Sequence, residues 1–375
     1  AFFLLPPTAL SLVDDSAPIT PLKIVVADVG HGDCIWITTP DDGIDGNGKC
    51  EGYNILIDGG PSSRRIMDIL LPLGLRYGTT IDWLVNTHAH NDHYRGLIGV
   101  LEAYRIRRIL DPGFLHTGQA YSAFCWKALI ESGATFYSPV IGIATIPGLK
   151  SLAQSVPCPL DWGDELKAEI LYSNPSVTQQ DVNNSSIVIR LEYGLFSMLF
   201  TGDAEGKFYK TDSPEHSMAV EKFLLDHYVS EDKSALESTI MKVGHHGSDT
   251  SSTTPFIKAV SPKEGIICAG NRHGLPDESV IKRYEDLGCR IWRTDRLDVG
   301  KSGSECHGDD SIIITSNGID YDIRYKNEDP LDPEVLAAEI RARKKEREAS
   351  AEVSINEEGN SPSDSDPSAF LNTLD

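Results

Sequence analysis

The chain reads as an α/β protein in which two mixed sheets pack face to face with helices outside. Three observations lead there. Apolar runs of strand length alternate with amphipathic runs of helix length across residues 22–325, the alternation comes in two halves, and each half opens on hairpin-like strands. A length of 375 residues allows one large or two ordinary domains with a sizeable core, and 40% hydrophobic with 24% charged residues is ordinary for a soluble globular protein.

In chain order, Leu22 to Gly30 predicts a buried strand, and Cys34 to Thr39 and Tyr53 to Asp58 two more, joined by the Asp- and Gly-rich stretch 41–52 as a hairpin connection. Arg64 to Leu75 predicts a helix, Ile81 to Val85 a strand, Gly96 to Tyr104 a helix, Ile106 to Leu110 a strand and Ala120 to Ser132 a helix. The second half follows with strands at Glu169 to Tyr172, Ser186 to Tyr193 and Phe196 to Phe200, the last two turning tightly at Gly194-Leu195. A helix over Ser217 to Leu225 then precedes a strand at Ile240 to Val243. Pro255 to Val260 (helix), Glu264 to Ala269 (strand), Asp277 to Leu287 (helix), Arg290 to Arg293 (strand) and a strand pair at Asp310 to Thr315 and Ile319 to Arg324 complete the series. The expected division is an extension over 1–21, a domain over 22–326, and a tail over 327–375 made of a charged helix (333–351) and a polar acidic stretch with little to bury.

Residues 87–93 read Thr-His-Ala-His-Asn-Asp-His, placing His88, His90, Asp92 and His93 directly after a strand. Neutral imidazoles and carboxylates are the usual donors for zinc and related divalent ions, and the alternation of His88 with His90 puts both on one side of an extended segment. Asp92 and His93 turn toward a second position, so the spacing points to two metals side by side. Asp203 ends the strand Leu199-Phe200-Thr201-Gly202 and is suited to bridging two ions through its two oxygens. The segment Met241 to Ser248 ends another strand with the adjacent pair His245-His246, one to close the metal shell and one to meet substrate. Asp58, at a third strand end, is suited to orienting a ligand histidine. His116 and Asn184 are each candidates for a further ligand, a substrate contact or a loop role. His31, Asn271 and His273 lie beside glycines in loops that can line a mouth.

Together these residues resemble the metallo-beta-lactamase superfamily, and within it the hydrolase domain of ComEC-type competence proteins and its free-standing relatives. Asp28-Val29-Gly30-His31-Gly32-Asp33 is similar to that group's Asp-Val-Gly-Gln-Gly-Asp, Leu199 to Asp203 to its Leu-Leu-Thr-Gly-Asp, Lys242 to Ser248 to its Lys-Val-Gly-His-His-Gly-Ser, and Arg293-Thr294-Asp295 to its Arg-Thr-Asp. The chain departs from the group at His90, where Asp is frequent, and at Asn271 to Pro276, where the expected histidine is replaced by one two positions earlier, His273. The resemblance implies a four-layer αββα sandwich with metals at one edge. It implies a dinuclear hydrolase: His88 and His90 on one ion, Asp92, His93 and His246 on the other, Asp203 bridging, with Asp92 and His245 nearest the chemistry. The ions expected are two zinc, with manganese as the alternative.

The substrate the resemblance favours is a phosphodiester, so the expected activity is that of a nuclease or nucleotide phosphodiesterase. The same fold also hydrolyses lactams, lactones, thioesters and phosphomonoesters, and a regulatory binding protein with weak catalysis is the competing class. A net charge of −22, of which −8 falls after residue 327, favours a nucleotide or single-stranded nucleic acid over long duplex DNA. The acidic tail is a candidate protein-binding element. The seven cysteines are scattered without a Cys-x-x-Cys spacing, as in a reduced cytoplasmic protein. Phe2 to Val13 is too short to span a bilayer and lacks a basic leader, so no membrane association is expected.

Overall fold

Three apolar cores divide the molecule into four layers. The computed structural model describes residues 20–44, 46, 49–114, 116–139, 154–270, 272–298 and 307–327. Most of the N-terminal extension, the tail from residue 328 with its expected helix, and Asn271 lie outside these residues.

The first half contains β1 (Leu22–Val26), β2 (Ile35–Thr38), β3 (Asn54–Ile57), α1 (Ser63–Leu73), β4 (Thr80–Val85), α2 (Asn91–Ala103), β5 (Arg105–Leu110), α3 (Gln119–Trp126), β6 (Thr135–Ser138) and β7 (Gln154–Ser155). The second contains β8 (Lys167–Tyr172), β9 (Val188–Tyr193), β10 (Phe196–Phe200), α4 (Ala219–Leu224), β11 (Ile240–Lys242), α5 (Thr254–Val260), β12 (Glu264–Ile267), α6 (Glu278–Asp286) and β13 (Arg290–Arg293). The chain then returns as β14 (Ile312–Ser316) and β15 (Tyr321–Tyr325), which pair with the first sheet. Among the described residues the sheets have nine strands, ordered β15-β14-β1-β2-β3-β4-β5-β6-β7, and six, ordered β13-β12-β11-β10-β9-β8.

Side-chain alternation assigns each strand residue to a layer. Ile24, Val26, Ile55, Ile57, Trp83 and Val85 point from the first sheet into the central core, where they meet Ile189, Leu191, Met198 and Phe200 of the second. Their neighbours Val25, Leu56 and Leu84 point outward onto Ile66 and Leu70 of α1, Leu97 and Val100 of α2 and Phe124 of α3. On the far side Leu199, Met241 and Ile267 pack on Val220, Phe256, Val260 and Tyr284 from α4, α5 and α6. Strands covered on both faces read as continuous apolar runs, which is why they stood out in the sequence.

Both sheets are mixed, and their parallel parts point the same residues to one edge. Strands β3 to β6 pair parallel, as do β10 to β13. Loops at the carboxyl ends of parallel strands are where ligands bind in α/β folds. Asp58, His88 to His93, Asp203 and His245-His246 all follow such ends. Asp33 precedes β2, which runs antiparallel to β3, so it reaches the same edge.

Two differences from the sequence reading concern this edge or its flank. The helix α2 begins at Asn91 rather than Gly96, so Asp92 and His93 occupy its first turn and are held by helical backbone. Strands β6 and β7 were not expected. Thr135–Ser138 does alternate half-buried and buried positions, but four residues are too few for the period to be seen in sequence. Among the described residues no helix is long and apolar enough to cross a membrane.

The helix α2 sits on the loop after β3 through two glycines. Gly59 donates its N–H to the His93 carbonyl at 2.7 Å, and Gly96 donates to the Gly60 carbonyl at 2.9 Å. A methyl group at position 96 would collide with the Gly59 carbonyl oxygen, and one at position 59 would come 2.5 Å from the Leu97 nitrogen. Gly96→Ala therefore forces α2 off its seat. The expected cost is about 1–3 kcal/mol or more of stability, with weakened metal uptake, measured by urea unfolding and by metal titration. Wild-type values for both would show that this close approach does not set the helix position.

Candidate metal centre

Asp58 follows β3 in a left-handed backbone conformation, with φ of 57°, and is wholly buried. Its Oδ1 accepts the Thr87 N–H at 2.8 Å, and its Oδ2 accepts the Thr87 hydroxyl at 2.6 Å and lies 2.8 Å from His93 Nδ1. One carboxylate thus ties the loop after β4 to α2. A carboxylate can only accept, so His93 Nδ1 carries hydrogen and its Nε2 is left facing inward. The same reasoning applies to His246, whose Nδ1 lies 2.7 Å from the Cys268 carbonyl, leaving its Nε2 free. Thr87 gives its proton to Asp58 and so accepts from His88 Nδ1 at 3.1 Å, again leaving Nε2 inward.

These inward atoms form two groups. In one, Asp203 Oδ2 lies 3.3 Å from His93 Nε2 and 3.1 Å from His246 Nε2, the two nitrogens are 3.3 Å apart, and Asp92 Oδ2 is 3.4 Å from His246 Nε2. In the other, His88 Nε2 is 3.2 Å from His90 Nδ1 and 3.7 Å from the same Asp203 Oδ2. Ligands about 2.0–2.1 Å from a tetrahedral zinc stand roughly 3.3–3.4 Å apart, so both spacings fit donors gathered around a cation. Lone pairs aimed at one another across such distances repel unless a proton or cation lies between them.

Asp203 was expected to bridge through both oxygens. The structure gives a different arrangement: Oδ2 alone belongs to both groups, while Oδ1 faces Lys242 Nζ at 3.4 Å. That buried ammonium also donates to Asp33 Oδ2 at 2.7 Å and to the Gly202 carbonyl at 2.6 Å. With one oxygen engaged by Lys242, only the other is free for shared use.

The electrostatics point the same way. Burial pushes the pKa of His88 and His90 down, leaving neutral imidazoles. Burial also opposes charge on His93 and His246, but Asp203 and its neighbouring carboxylates outweigh it and raise both well above the imidazole range. The same carboxylates that favour a protonated imidazole there would favour a cation. Burial likewise works against an ionised Asp203, and His246, His93 and Lys242 overcome it and hold its pKa down. Four carboxylates, Asp33, Asp58, Asp92 and Asp203, gather around one lysine ammonium, Lys242, and Asp33 Oδ1 makes no hydrogen bond, with His246 Nδ1 3.5 Å away. Donor set, spacing and the crowding of carboxylates all fit divalent ions.

The sequence profile of the Metallo-beta-lactamase superfamily matches residues 50–271. The chain belongs to the metallo-beta-lactamase superfamily. Recombination protein 2 of Haemophilus influenzae is 28% identical over 238 residues, 62% of this chain and 24% of that protein. ComE operon protein 3 of Bacillus subtilis is 24% identical over 292 residues, 73% of this chain and 32% of that protein. The chain thus spans about a quarter to a third of the length of these ComEC-type relatives. Among solved structures it is similar to the metallo-beta-lactamase fold protein YhfI from Bacillus subtilis, at 11% identity and a TM-score of 0.40 over 73% of this chain and 96% of that one.

The remaining candidate residues of this superfamily member fall into three groups. His245 adjoins the centre but turns away from it: its Nδ1 is 3.0 Å from Glu205 Oε1 and 3.0 Å from Thr250 Oγ1, with Asn183 Nδ2 3.3 Å from its Nε2. His245 and His246 both have positive φ, 45° and 53°, a strained pair that sends adjacent imidazoles in divergent directions. His31 is buried with its Nε2 3.4 Å from Asp92 Oδ2, and exposed His273 lies against it with ring centroids 5.2 Å apart. The last two candidates make local contacts. His116 accepts the Gly118 N–H and packs on Tyr121 beside α3, outside every cluster of metal donors found among the described residues. Asn184 is tied to its neighbours, its Oδ1 accepting the Glu205 N–H and its Nδ2 donating to Asp181.

Asp33, Lys242, Glu205 and Thr250 went unassigned in the sequence reading. Asp33 and Lys242 lie inside the quoted motifs and Glu205 two residues after Asp203, so position in a motif was the available signal. Their partners are distant in sequence, which hid their roles. Because the surrounding carboxylates raise the pKa of His93 and His246, metal loading near pH 7 should release about one to two protons per chain. Calorimetry in buffers of different ionisation enthalpy reads this number, and zero release would contradict the assigned protonation. Loading should also raise the unfolding free energy, by about 2.7 kcal/mol at a hundredfold excess over Kd.

Proposed function

We propose that this protein is a dinuclear metal-dependent hydrolase that cleaves phosphodiester bonds in nucleotides or single-stranded nucleic acid. The observation that carries the reading is Asp203 Oδ2, which lies beside His88 Nε2 of the His88–His90 pair and beside the Nε2 atoms of His93 and His246, with Asp92 adjoining His246. In this reading His88, His90 and Asp203 hold one ion, and Asp92, His93, His246 and Asp203 the other, with zinc favoured by the imidazole content and manganese the alternative. Such a pair supplies an acidified water and positive charge for both ends of a displacement at phosphorus.

The chain's own residues do the rest. Asp58 and the Cys268 carbonyl keep His93 and His246 in one tautomer and one orientation. Lys242 keeps the second oxygen of Asp203 occupied, which fixes the plane of the shared carboxylate. Thr250 donates to Glu205 Oε1 at 2.8 Å, and the same carboxylate accepts the hydrogen bond of His245 Nδ1–H at 3.0 Å. Nε2 of His245 is then the atom that delivers a proton to the leaving oxygen. Relatedness to competence proteins and the match between paired cations and an anionic ester support the phosphodiester over the lactam, lactone and thioester alternatives. The net charge of −22 supports a short or single-stranded substrate.

The test is the full chain, loaded with zinc or manganese, against bis-para-nitrophenyl phosphate, labelled single-stranded DNA and a chromogenic lactam. Phosphodiester turnover is expected, and lactam turnover alone would reject the substrate class. His93→Ala and Asp203→Ala should lose bound metal and activity together. His245→Ala should lower kcat about 10²- to 10⁴-fold with metal content unchanged. Glu205→Gln should act in the same direction, more weakly, and shift the limb of the pH–rate profile that reports the proton donor. Full activity in His93→Ala would reject the metal reading itself.

A further inference from the structure

The group His31, Asp92 and His246 offers three donor atoms within 4.8 Å of one another, alongside the two groups already described. His31 is 8% exposed, and its Nδ1 is buried without a hydrogen-bond partner. Its Nε2 stands 3.4 Å from Asp92 Oδ2, the same separation that His246 Nε2 keeps from that oxygen. The His31 and His246 rings are neighbours, with centroids 4.4 Å apart.

The backbone around His31 is built to hold this position. Gly30 and Gly32 flank it with φ of 74° and 134°, values that other residues rarely adopt. A methyl group on Gly32 would collide with the Asp92 carbonyl oxygen, and one on Gly270 with the His31 nitrogen. The loop is therefore pressed between the first turn of α2 and the segment after β12. Asp28 Oδ1 accepts the Gly30 N–H at 3.1 Å and Arg65 donates to the Val29 carbonyl at 3.0 Å, which pins the approach to the loop.

These three donors do not describe a third ion. An imidazole nitrogen has one in-plane lone pair, and His246 Nε2 already faces His93 Nε2 and Asp203 Oδ2. Whatever ion His31 meets is the one His246 meets. We infer that His31 is an additional ligand of the ion held by Asp92, His93, His246 and Asp203, so that this ion has five protein donors and its neighbour, on His88, His90 and Asp203, has three. The inference rests on the dinuclear reading above and deepens it. A site filled by protein ligands is structural in character, while three ligands leave a position for water and substrate. The His88–His90 ion is then the exchangeable one that presents water, and the His31-bound ion is the retained one.

The test loads the full chain with cobalt(II) and counts the paramagnetically shifted, exchangeable imidazole N–H resonances in water. One arises from each coordinated histidine, so His31 adds one to those of His88, His90, His93 and His246. His31→Gln, which keeps a side chain of similar length, should remove one resonance and leave the others. The variant should also release its tighter ion to a chelating dye about tenfold or more readily than wild type. A wild-type spectrum with no signal beyond the other four histidines overturns the inference without any variant being needed, as does wild-type retention in folded His31→Gln. If wild type binds no cobalt and shows no shifted resonances, the dinuclear reading fails and this inference with it.

Discussion

The centre depends on an excess of buried negative charge. Asp33, Asp58, Asp92 and Asp203 converge where water is largely excluded, and Lys242 is the ammonium bonded among them. Carboxylates in such surroundings are unfavourable unless paired, so the cluster demands positive charge from somewhere. Without ions, the surrounding carboxylates raise the pKa of His93 and His246 and so favour their protonated forms. Replacing those protons by divalent ions satisfies the same carboxylates with more charge, and the donor spacing suits that exchange. The acidity of the chain as a whole is no obstacle to an anionic substrate when the site itself carries the cations.

The fold holds this costly arrangement by distributing its parts over rigid elements. The first sheet supplies Asp33, Asp58 and the histidine segment, the second supplies Asp203 and the histidine pair, and the central core clamps the two sheets together. A cross-sheet hydrogen bond continues the clamp at the edge, with Ile187 N–H on the Thr87 carbonyl at 3.0 Å, and within the second sheet Ser186 Oγ holds the Asp203 N–H at 3.0 Å. No single loop contains either donor group. The geometry is lost if the sheets slide, which makes the apolar interface part of the metal chemistry.

Around the proposed ions the protein places two imidazoles with contrasting surroundings. His31 is buried against Asp92 and His246, and His245 is half-exposed against Glu205, Thr250 and Asn183. The left-handed backbone at His245 and His246 is what separates them. An extended or helical pair would send the two side chains elsewhere, so the strain at these residues is tied to having one ring among the donors and the next beside Glu205.

Much of this was legible in the sequence. Strands buried on both faces announced themselves as apolar runs, and the layered α/β class followed from their alternation with helices. The histidine segment, Asp58, Asp203 and His245-His246 stood out because metal chemistry uses few residue types and these sit at strand ends. Contacts between distant residues were not legible. That Asp203 shares one oxygen because Lys242 faces the other, that Glu205 meets His245, and that His116 packs beside α3 all depend on how the sheets superpose. Residue type and local period determined the elements and the available donors. Only the packing of the two sheets decided which lone pairs point at one another, because coordination is set by ångström-scale distances between atoms that the sequence separates by tens or hundreds of residues.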